Sequence, residues 1–286
     1  MQSRNPVLNR INEETPAGNN AGFAYNEGRT AYSQAATTGL QTMDASIAAN
    51  DYQVAPTLGP AVTLNDVITK TGISLVILLV GAVIGWQLTP TMPWLAIGAM
   101  FVGLGLGLAN TFMKQVRPPL ILLYAFVEGV FLGGISYIYD QLVQQVQYEG
   151  LVSQAVIGTL VAFAVMLTLY ATRIIKVNGT FMKIFMVAMI SYGVIAIASF
   201  IAAIFFNVGG GFGFYGVGTL GLLLCAFGVL LAAFTLNLDF AAIEQGIAQG
   251  LPERESWRMS FGLLVTLIWL YLEILRLLTL LALSRD

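Results

Sequence analysis

The stretch MSFGLLVTLIWLYLEILRLLTLLAL, residues 259–283, decides the fold. It is the longest apolar run of the chain without a helix breaker, and a helix needs only ~20 such residues to cross the hydrocarbon core of a bilayer. Glu273 and Arg276 lie inside this run, among side chains that are otherwise typical of a membrane span. We therefore predict a transmembrane helix that contains a carboxylate and a guanidinium.

Six further apolar runs precede this one. Membrane-spanning β-strands would need ~10-residue segments of alternating hydrophobicity, whereas all these runs are continuous. We predict an all-α, polytopic membrane protein, a seven-transmembrane-helix bundle formed by residues 65–286. The earlier spans are expected at roughly 72–90, 92–113, 119–143, 151–172, 181–206 and 214–237.

The composition agrees with a lipid-facing protein. Of the 286 residues, 57% are hydrophobic and 10% are charged, and the mean hydropathy is +0.78. A soluble domain has about 25% charged residues, so a water-facing surface is excluded. The net charge of −2 gives no sign of nucleic-acid binding. The single cysteine, Cys225, lies in an apolar run and is expected to serve packing.

The chain contains no histidine. This removes Ser-His and Cys-His dyads and histidine-based zinc sites, and a rhomboid-like protease is excluded with them. The last span has no lysine, which a retinal protein would need for its Schiff base. We predict that the protein is not an enzyme and has no cofactor. Any response to pH has to come from carboxylates.

Residues 1–64 differ from the rest of the chain. They are rich in Ala, Asn, Gly, Thr and Gln and lack a long apolar run. This composition predicts a disordered cytoplasmic tail, which is a candidate binding site for a membrane-protein partner.

The basic residues predict the orientation in the membrane. Lys and Arg occur in the tail and in the second, fourth and sixth connections, whereas the first, third and fifth connections have none. By the positive-inside rule, the N-terminus is cytoplasmic and, after seven crossings, the C-terminus is outside. The expected location is the cell membrane, that is, an inner or plasma membrane.

Glycine pairs predict where the first three helices touch. In each pair the glycines are four residues apart, a spacing that lets helix backbones approach closely in lipid. The pairs are Gly81 and Gly85, Gly103 and Gly107, and Gly129 and Gly133.

Ionisable residues inside spans are costly and are therefore functional candidates. Gly262, Thr266, Trp269, Glu273 and Arg276 form one stripe on the last helix, which is predicted to face the protein interior. On the sixth span, Thr235 and Asp239 are four residues apart, and the third span contains Glu128 and Asp140.

Two interpretations of Glu273 remain open. Two acids that share a site cannot both ionise at low cost, so Asp239 and Glu273 together would hold a single proton and act as a pH switch. A difference in depth weakens this pairing, because Asp239 is expected at the cytoplasmic mouth while Glu273 lies roughly 20 Å into its helix. Alternatively, Glu273 forms an internal i,i+3 ion pair with Arg276.

Three motifs resemble a known family. NLDFAAIEQG (237–246) and WLYLEILRLL (269–278) resemble the last two spans of the Bax inhibitor-1 family, in particular its bacterial YccA-like branch. FVEGVFLGGIS (126–136) is similar to the family's glycine-rich early helix. Asp239 and Glu273 match the positions of the family's two acids, with Glu in place of the usual Asp.

The resemblance implies a seven-helix bundle with helix 7 at its centre and a pH-sensitive calcium leak. It further implies a proton-bridged acid pair near the cytoplasmic side and a latch arginine from the second span. No arginine of this chain matches the latch directly. The candidates are Arg117, which lies in a connection, and Arg276.

The leading functional prediction is a calcium or cation leak channel gated by a buried carboxylate pair. Asp239 and Glu273 would bind calcium weakly and transiently, since oxygen ligands suit this cation. The possible pore-lining residues are Glu128, Asp140, Thr235 and Thr266. A proton-coupled transporter, which would show saturable uptake, and a non-transporting scaffold, whose acids could be neutralised without effect on flux, are the alternatives.

Overall fold

A computed structural model describes residues 60–174, 179–206, 213–216 and 218–284. Within these ranges there is no β-strand, and seven helices are long and apolar enough to cross a membrane. The predicted fold class is thus confirmed, whereas the predicted disordered tail lies almost entirely outside the described residues. The helices are α1 (Leu64–Leu88), α2 (Trp94–Phe112), α3 (Pro118–Gln144), α4 (Leu151–Ala171), α5 (Gly179–Phe206), α6 (Thr219–Ala248) and α7 (Glu255–Leu283).

The helix ends follow local capping chemistry. The first helix begins eight residues before the predicted span, because Thr63 and Asp66 form a capping box in which each side chain accepts a hydrogen bond from the other residue's backbone N–H. Helix α3 begins with two prolines, which have no backbone N–H group. The first N–H groups of a helix have no acceptor within the helix, so proline is favourable at this position.

The sixth helix is longer than the sequence predicted. It continues past residue 237 to Ala248, because the segment AAIEQG consists mainly of good helix formers. Gly250, with a φ of +64°, then turns the chain toward α7. Asp239 therefore lies inside a helix, several turns before its end, and not at a helix terminus as predicted.

Close packing of α1 on α3 confirms the predicted role of the glycine pairs. A Cβ added at Gly133 would lie 2.7 Å from the backbone carbon of Ala82, and one at Gly85 would lie 2.8 Å from that of Val130. Both distances are shorter than any real carbon contact, so only glycine permits this approach. The pair on α2 meets side chains of α3 instead: Gly107 lies against the ring of Tyr124.

The last helix packs against α1, α3, α4 and α6. Its polar stripe is buried at Thr266 and Glu273, as predicted, but Leu264 and Leu275 on other faces are also fully buried. Helix α7 is thus surrounded by protein on more than its polar side. These contacts are compatible with a central position for this helix, which stays a prediction.

The basic connections meet at one end of the bundle, which we call the basic end. Here Lys70 of α1 forms an ion pair of 3.0 Å with Glu253 of the α6–α7 connection. An isolated antiparallel bridge between Ala61 and Pro252 joins the same two segments. Two arginines tie in the α2–α3 connection through backbone carbonyls: Arg254 donates to Val116, and Arg258 donates to Met113 and Lys114.

Large apolar side chains cover the outside of the bundle. Examples are Val83 of α1, Trp94 of α2, Leu160 of α4 and Val187 of α5, all of which are more than half exposed. In water such a surface would drive aggregation, whereas in a bilayer it is solvated by acyl chains. The chain is a multi-pass membrane protein.

Candidate functional site

The Glu273 carboxylate lies in an enclosed polar pocket inside the apolar bundle. The residue is 4% exposed. Its Oε1 atom accepts hydrogen bonds from the Tyr192 hydroxyl of α5 at 2.6 Å and from the Trp269 indole N–H at 3.0 Å. Its Oε2 atom lies 3.7 Å from a guanidinium nitrogen of Arg276, one turn further along α7. The two oxygens thus have different partners: one is hydrogen-bonded, and the other faces only a positive charge.

Helix α6 forms the floor of this pocket through a glycine. A Cβ at Gly228 would lie 2.7 Å from Glu273 Oε2 and 2.8 Å from its carboxyl carbon, and it would also collide with the Tyr192 hydroxyl. Any larger residue at position 228 would therefore displace the carboxylate. The missing side chain provides the space in which Glu273 is held.

Arg276 is flanked by aromatic side chains, and its own side chain is 29% exposed. Its guanidinium carbon lies 4.6 Å from the ring centroid of Tyr215, a distance typical of a cation–π contact. Tyr215 belongs to a short 3₁₀ helix, Gly213–Tyr215, in the α5–α6 connection. The ring of Tyr192 lies edge-on to Tyr215, with centroids 6.2 Å apart. The partly buried positive charge is therefore stabilised by one ring and by one carboxylate.

The structure does not bring Asp239 and Glu273 together. Asp239 lies beside the side chain of Thr266, and its Oδ2 atom is buried without a hydrogen-bond partner among the described residues. Thr266 and Glu273 are two turns apart on α7, which corresponds to about 10 Å of helix rise. The geometry at Glu273 matches the interpretation in which this residue pairs with Arg276. Asp239 forms a second, separate polar position on the same face of α7.

The depth of Glu273 also differs from the expectation. Because α7 begins at Glu255, the rise to Glu273 is roughly 27 Å instead of 20 Å. Glu273 and Arg276 consequently lie in the half of the bundle that is remote from the basic end. This position disagrees with an acid pair near the basic end, where the family resemblance and the predicted orientation together would place it.

The other predicted lining residues are scattered. Glu128 lies against the backbone of Gly103 on α2, and Asp140 accepts a hydrogen bond of 2.6 Å from Gln144 on its own helix. The hydroxyl of Thr235 donates to the carbonyl of Leu231 at 2.9 Å. Among the described residues, no hydrogen bond or ion pair joins any of these three side chains to Asp239 or Glu273. A single pore lined by all of them stays a prediction.

The two latch candidates differ in their surroundings. Arg117 is exposed at the start of α3, at the basic end. Arg276 directly faces Glu273 within the bundle. Geometry therefore favours Arg276 as the residue that restrains the buried acid.

The described residues contain no group of three or more Asp, Glu or Cys side chains that could hold a metal ion. Asp239 and Glu273 each supply one carboxylate, and the two are too far apart to share an ion. The predicted calcium contact would therefore involve one carboxylate at a time, which is typical of weak and transient binding.

Sequence reasoning missed Tyr192, Tyr215 and Gly228. Tyrosines in apolar runs are common at membrane interfaces and do not announce a buried role. Gly228 is not part of an obvious glycine pair on α6. The available signal was Glu273 itself. A buried carboxylate needs hydrogen-bond donors, and this requirement predicts donor side chains on helices other than α7.

A family model matches the chain. The family model described as Bax inhibitor 1 like matches residues 5–283, which is nearly the whole chain. This match is compatible with the YccA-like branch, which stays a prediction. A search of curated proteins found no match.

Proposed function

Since the chain belongs to the Bax inhibitor 1 like family, we propose that it conducts a leak of calcium or another cation across the membrane, controlled by buried carboxylates. The main support is the Glu273 pocket. A carboxylate that is 4% exposed and faces a guanidinium in the middle of an apolar helix is costly in lipid. Such a group is retained in a membrane span when it binds or gates something.

The arrangement around Glu273 corresponds to the closed state in this proposal. A cation that reaches the pocket meets a carboxylate already neutralised by Arg276, together with the positive charge of that arginine. Conduction requires Arg276 to move away from Glu273. The separation of 3.7 Å is longer than that of a charge-assisted hydrogen bond, ~2.8 Å, so the pair is loose and can open.

Asp239 supplies the second oxygen site. With Thr266 it lies about 10 Å along α7 from Glu273, toward the basic end. A hard cation passing along this face would exchange water for oxygen ligands at two successive positions. Weak binding at several positions favours passage over retention.

The pH dependence follows from the charge of these groups. Protonation of Asp239 removes a negative charge that attracts a cation, so the leak is expected to rise as pH increases. In this proposal Asp239 and Glu273 are two separate carboxylate sites and not one proton-sharing pair. The orientation, with the basic end in the cytoplasm of an inner or plasma membrane, follows the positive-inside rule and is part of the proposal.

Calcium flux into liposomes between pH 5 and pH 8 tests the proposal. We expect Asp239→Asn to lower the flux and flatten its pH dependence, since that site then has no charge to lose. Glu273→Gln should alter the flux at every pH, because it releases Arg276. Glu149→Gln is the matched control, since Glu149 is exposed in the connection between α3 and α4 and is not one of the predicted lining residues.

Three outcomes would reject the proposal. Parent-like flux and pH dependence in both Asp239→Asn and Glu273→Gln would remove the carboxylates from the mechanism. Absence of flux in the parent protein would favour a scaffold. Saturable, substrate-specific uptake would instead indicate a proton-coupled transporter.

A further inference from the structure

Residues 213–216 of the α5–α6 connection pack onto the bundle at the end remote from the basic end. Phe214 N–H donates a hydrogen bond of 2.9 Å to the side-chain oxygen of Ser199, a buried residue of α5. Gly213 has a φ of +63°, and a Cβ there would collide with the backbone carbonyl of Ser199. Both contacts fix the turn on α5 and direct the next side chain inward.

That next side chain is Tyr215. It is 4% exposed, although the neighbouring Phe214 in the same turn is 42% exposed. The ring of Tyr215 lies over the Arg276 guanidinium at 4.6 Å and edge-on to Tyr192. Tyr192 and Arg276, which face the two carboxylate oxygens of Glu273, are thus both in contact with the ring of Tyr215.

Below this ring the polar groups follow one another into the bundle. Cys225, on the second turn of α6, is fully buried in the same core cluster as Tyr215. Gly228, one turn deeper, contacts Glu273. A solute that enters from this end would meet Tyr215 and the partly exposed Arg276 first, then Cys225, and finally Glu273.

We propose that Tyr215 is a plug that seals Glu273 and Cys225 from the end remote from the basic end. Its ring holds Arg276 on Glu273, and the pocket opens when residues 213–216 move away. This inference rests on the proposed leak for its physiological meaning. The seal itself is a separate structural property and can be tested without any flux measurement.

Cys225 is the natural probe, because it is the only cysteine of the sequence and lies beneath the plug. The full-length protein in liposomes would be treated with a charged, membrane-impermeant maleimide, added to one side of the membrane and then, in a second sample, to the other. The labelled fraction is followed over time by mass spectrometry. Cys225→Ser defines the background.

We expect Tyr215→Ala to be labelled at least about tenfold faster than the parent from one side only, because the cation–π contact and the covering ring are both lost. Phe214→Ala is the matched control, since it removes an exposed ring from the same turn, and its rate should equal that of the parent. Tyr215→Phe retains a ring over Arg276 and should stay within about twofold of the parent.

Several results would overturn the plug. They are an unchanged rate in Tyr215→Ala, an equal increase in Phe214→Ala, and a Tyr215→Phe rate equal to that of Tyr215→Ala. Faster labelling from both sides would indicate general loosening and would also reject it. Elution of each variant as a single species in detergent, with the midpoint of thermal unfolding, separates misfolding from opening.

Calcium flux in the same variants separates the two proposals. Faster labelling of Tyr215→Ala without any change in flux would support the plug proposal and count against the leak proposal. Parent-like labelling combined with pH-dependent flux through the carboxylates would retain the leak and remove the plug. An increase in both is expected.

Discussion

Replacing Gly228 by alanine tests the Glu273 pocket with a single methyl group. The added Cβ would lie 2.7 Å from Glu273 Oε2. A comfortable non-bonded separation is about 3.5 Å, so the carboxylate has to move by nearly 1 Å, or α6 and α7 have to separate by that amount. The hydrogen bond from Tyr192, now 2.6 Å, cannot survive such a shift without rearrangement.

The size of the effect follows from two opposing contributions. Overpacking of a filled site costs about 1–3 kcal/mol. Alanine is the better helix former, which stabilises the folded state by about 0.5–1 kcal/mol. Gly193→Ala on α5 and Gly262→Ala on α7 gain the same helix propensity, but their added Cβ atoms meet nothing within 4 Å. We therefore expect Gly228→Ala to be less stable than either control by about 1–3 kcal/mol.

The measurement is the free energy of unfolding in mixed micelles, by denaturant titration of the parent and the three alanine variants. If Gly228→Ala matches the two controls to within about 0.5 kcal/mol, the site is not filled as described. In that case the carboxylate has room to rotate, and its fixed contacts with Tyr192 and Arg276 lose their basis.

Three further predictions concern other parts of the bundle. Gly133→Ala would place its Cβ 2.7 Å from a backbone carbon of α1, whereas the Cβ of the control Gly98→Ala meets nothing within 4 Å. We expect the free energy of unfolding of Gly133→Ala to be lower than that of the control by about 1–3 kcal/mol, measured by denaturant titration. Equal stability of the two variants would contradict the close approach of the helices. Lys70→Met removes the 3.0 Å ion pair with the partly exposed Glu253 and should cost about 1 kcal/mol, and a double-mutant cycle with Glu253→Gln should show coupling between them. Both polar side-chain atoms of Asn237 are buried without hydrogen-bond partners among the described residues. Asn237→Leu should therefore leave the free energy of unfolding unchanged or raise it by about 1–3 kcal/mol. A marked loss of stability would indicate that Asn237 has a hydrogen-bond partner.

Most of the fold was predictable because lipid leaves the backbone few choices. Continuous apolar runs must form helices when there is no water to satisfy backbone polar groups. Gly133 and Gly85 could be assigned to a helix contact from their spacing alone, since small residues are what such contacts require. The helix ends were less predictable, because the start of α1 depends on the capping box of Thr63 and Asp66 and not on hydropathy.

The candidate site was only half predictable. Glu273 and Arg276 were visible as charges in an apolar run, and their spacing of three residues placed them on one face of α7. Asp239 was misjudged because its surroundings depend on how far α6 continues, and helix-forming polar residues such as Glu244 and Gln245 do not mark a membrane boundary. Tyr192 and Tyr215 could not be assigned at all, since their roles arise from tertiary contacts between separate helices.

Arg254 and Arg258 hold the α2–α3 connection at the basic end. Both donate hydrogen bonds to backbone carbonyl oxygens of this connection and not to its side chains. Every amino acid offers the same carbonyl, so these hydrogen bonds depend on the number of residues in the connection and not on their side chains. Substitutions at the exposed Lys114 and Gln115 should therefore accumulate freely among relatives of this chain. Val116 is also buried in the core, and the insertion or deletion of a single residue would move the acceptors out of reach of Arg254 and Arg258. We therefore expect the length of this connection to be more conserved than its amino-acid sequence.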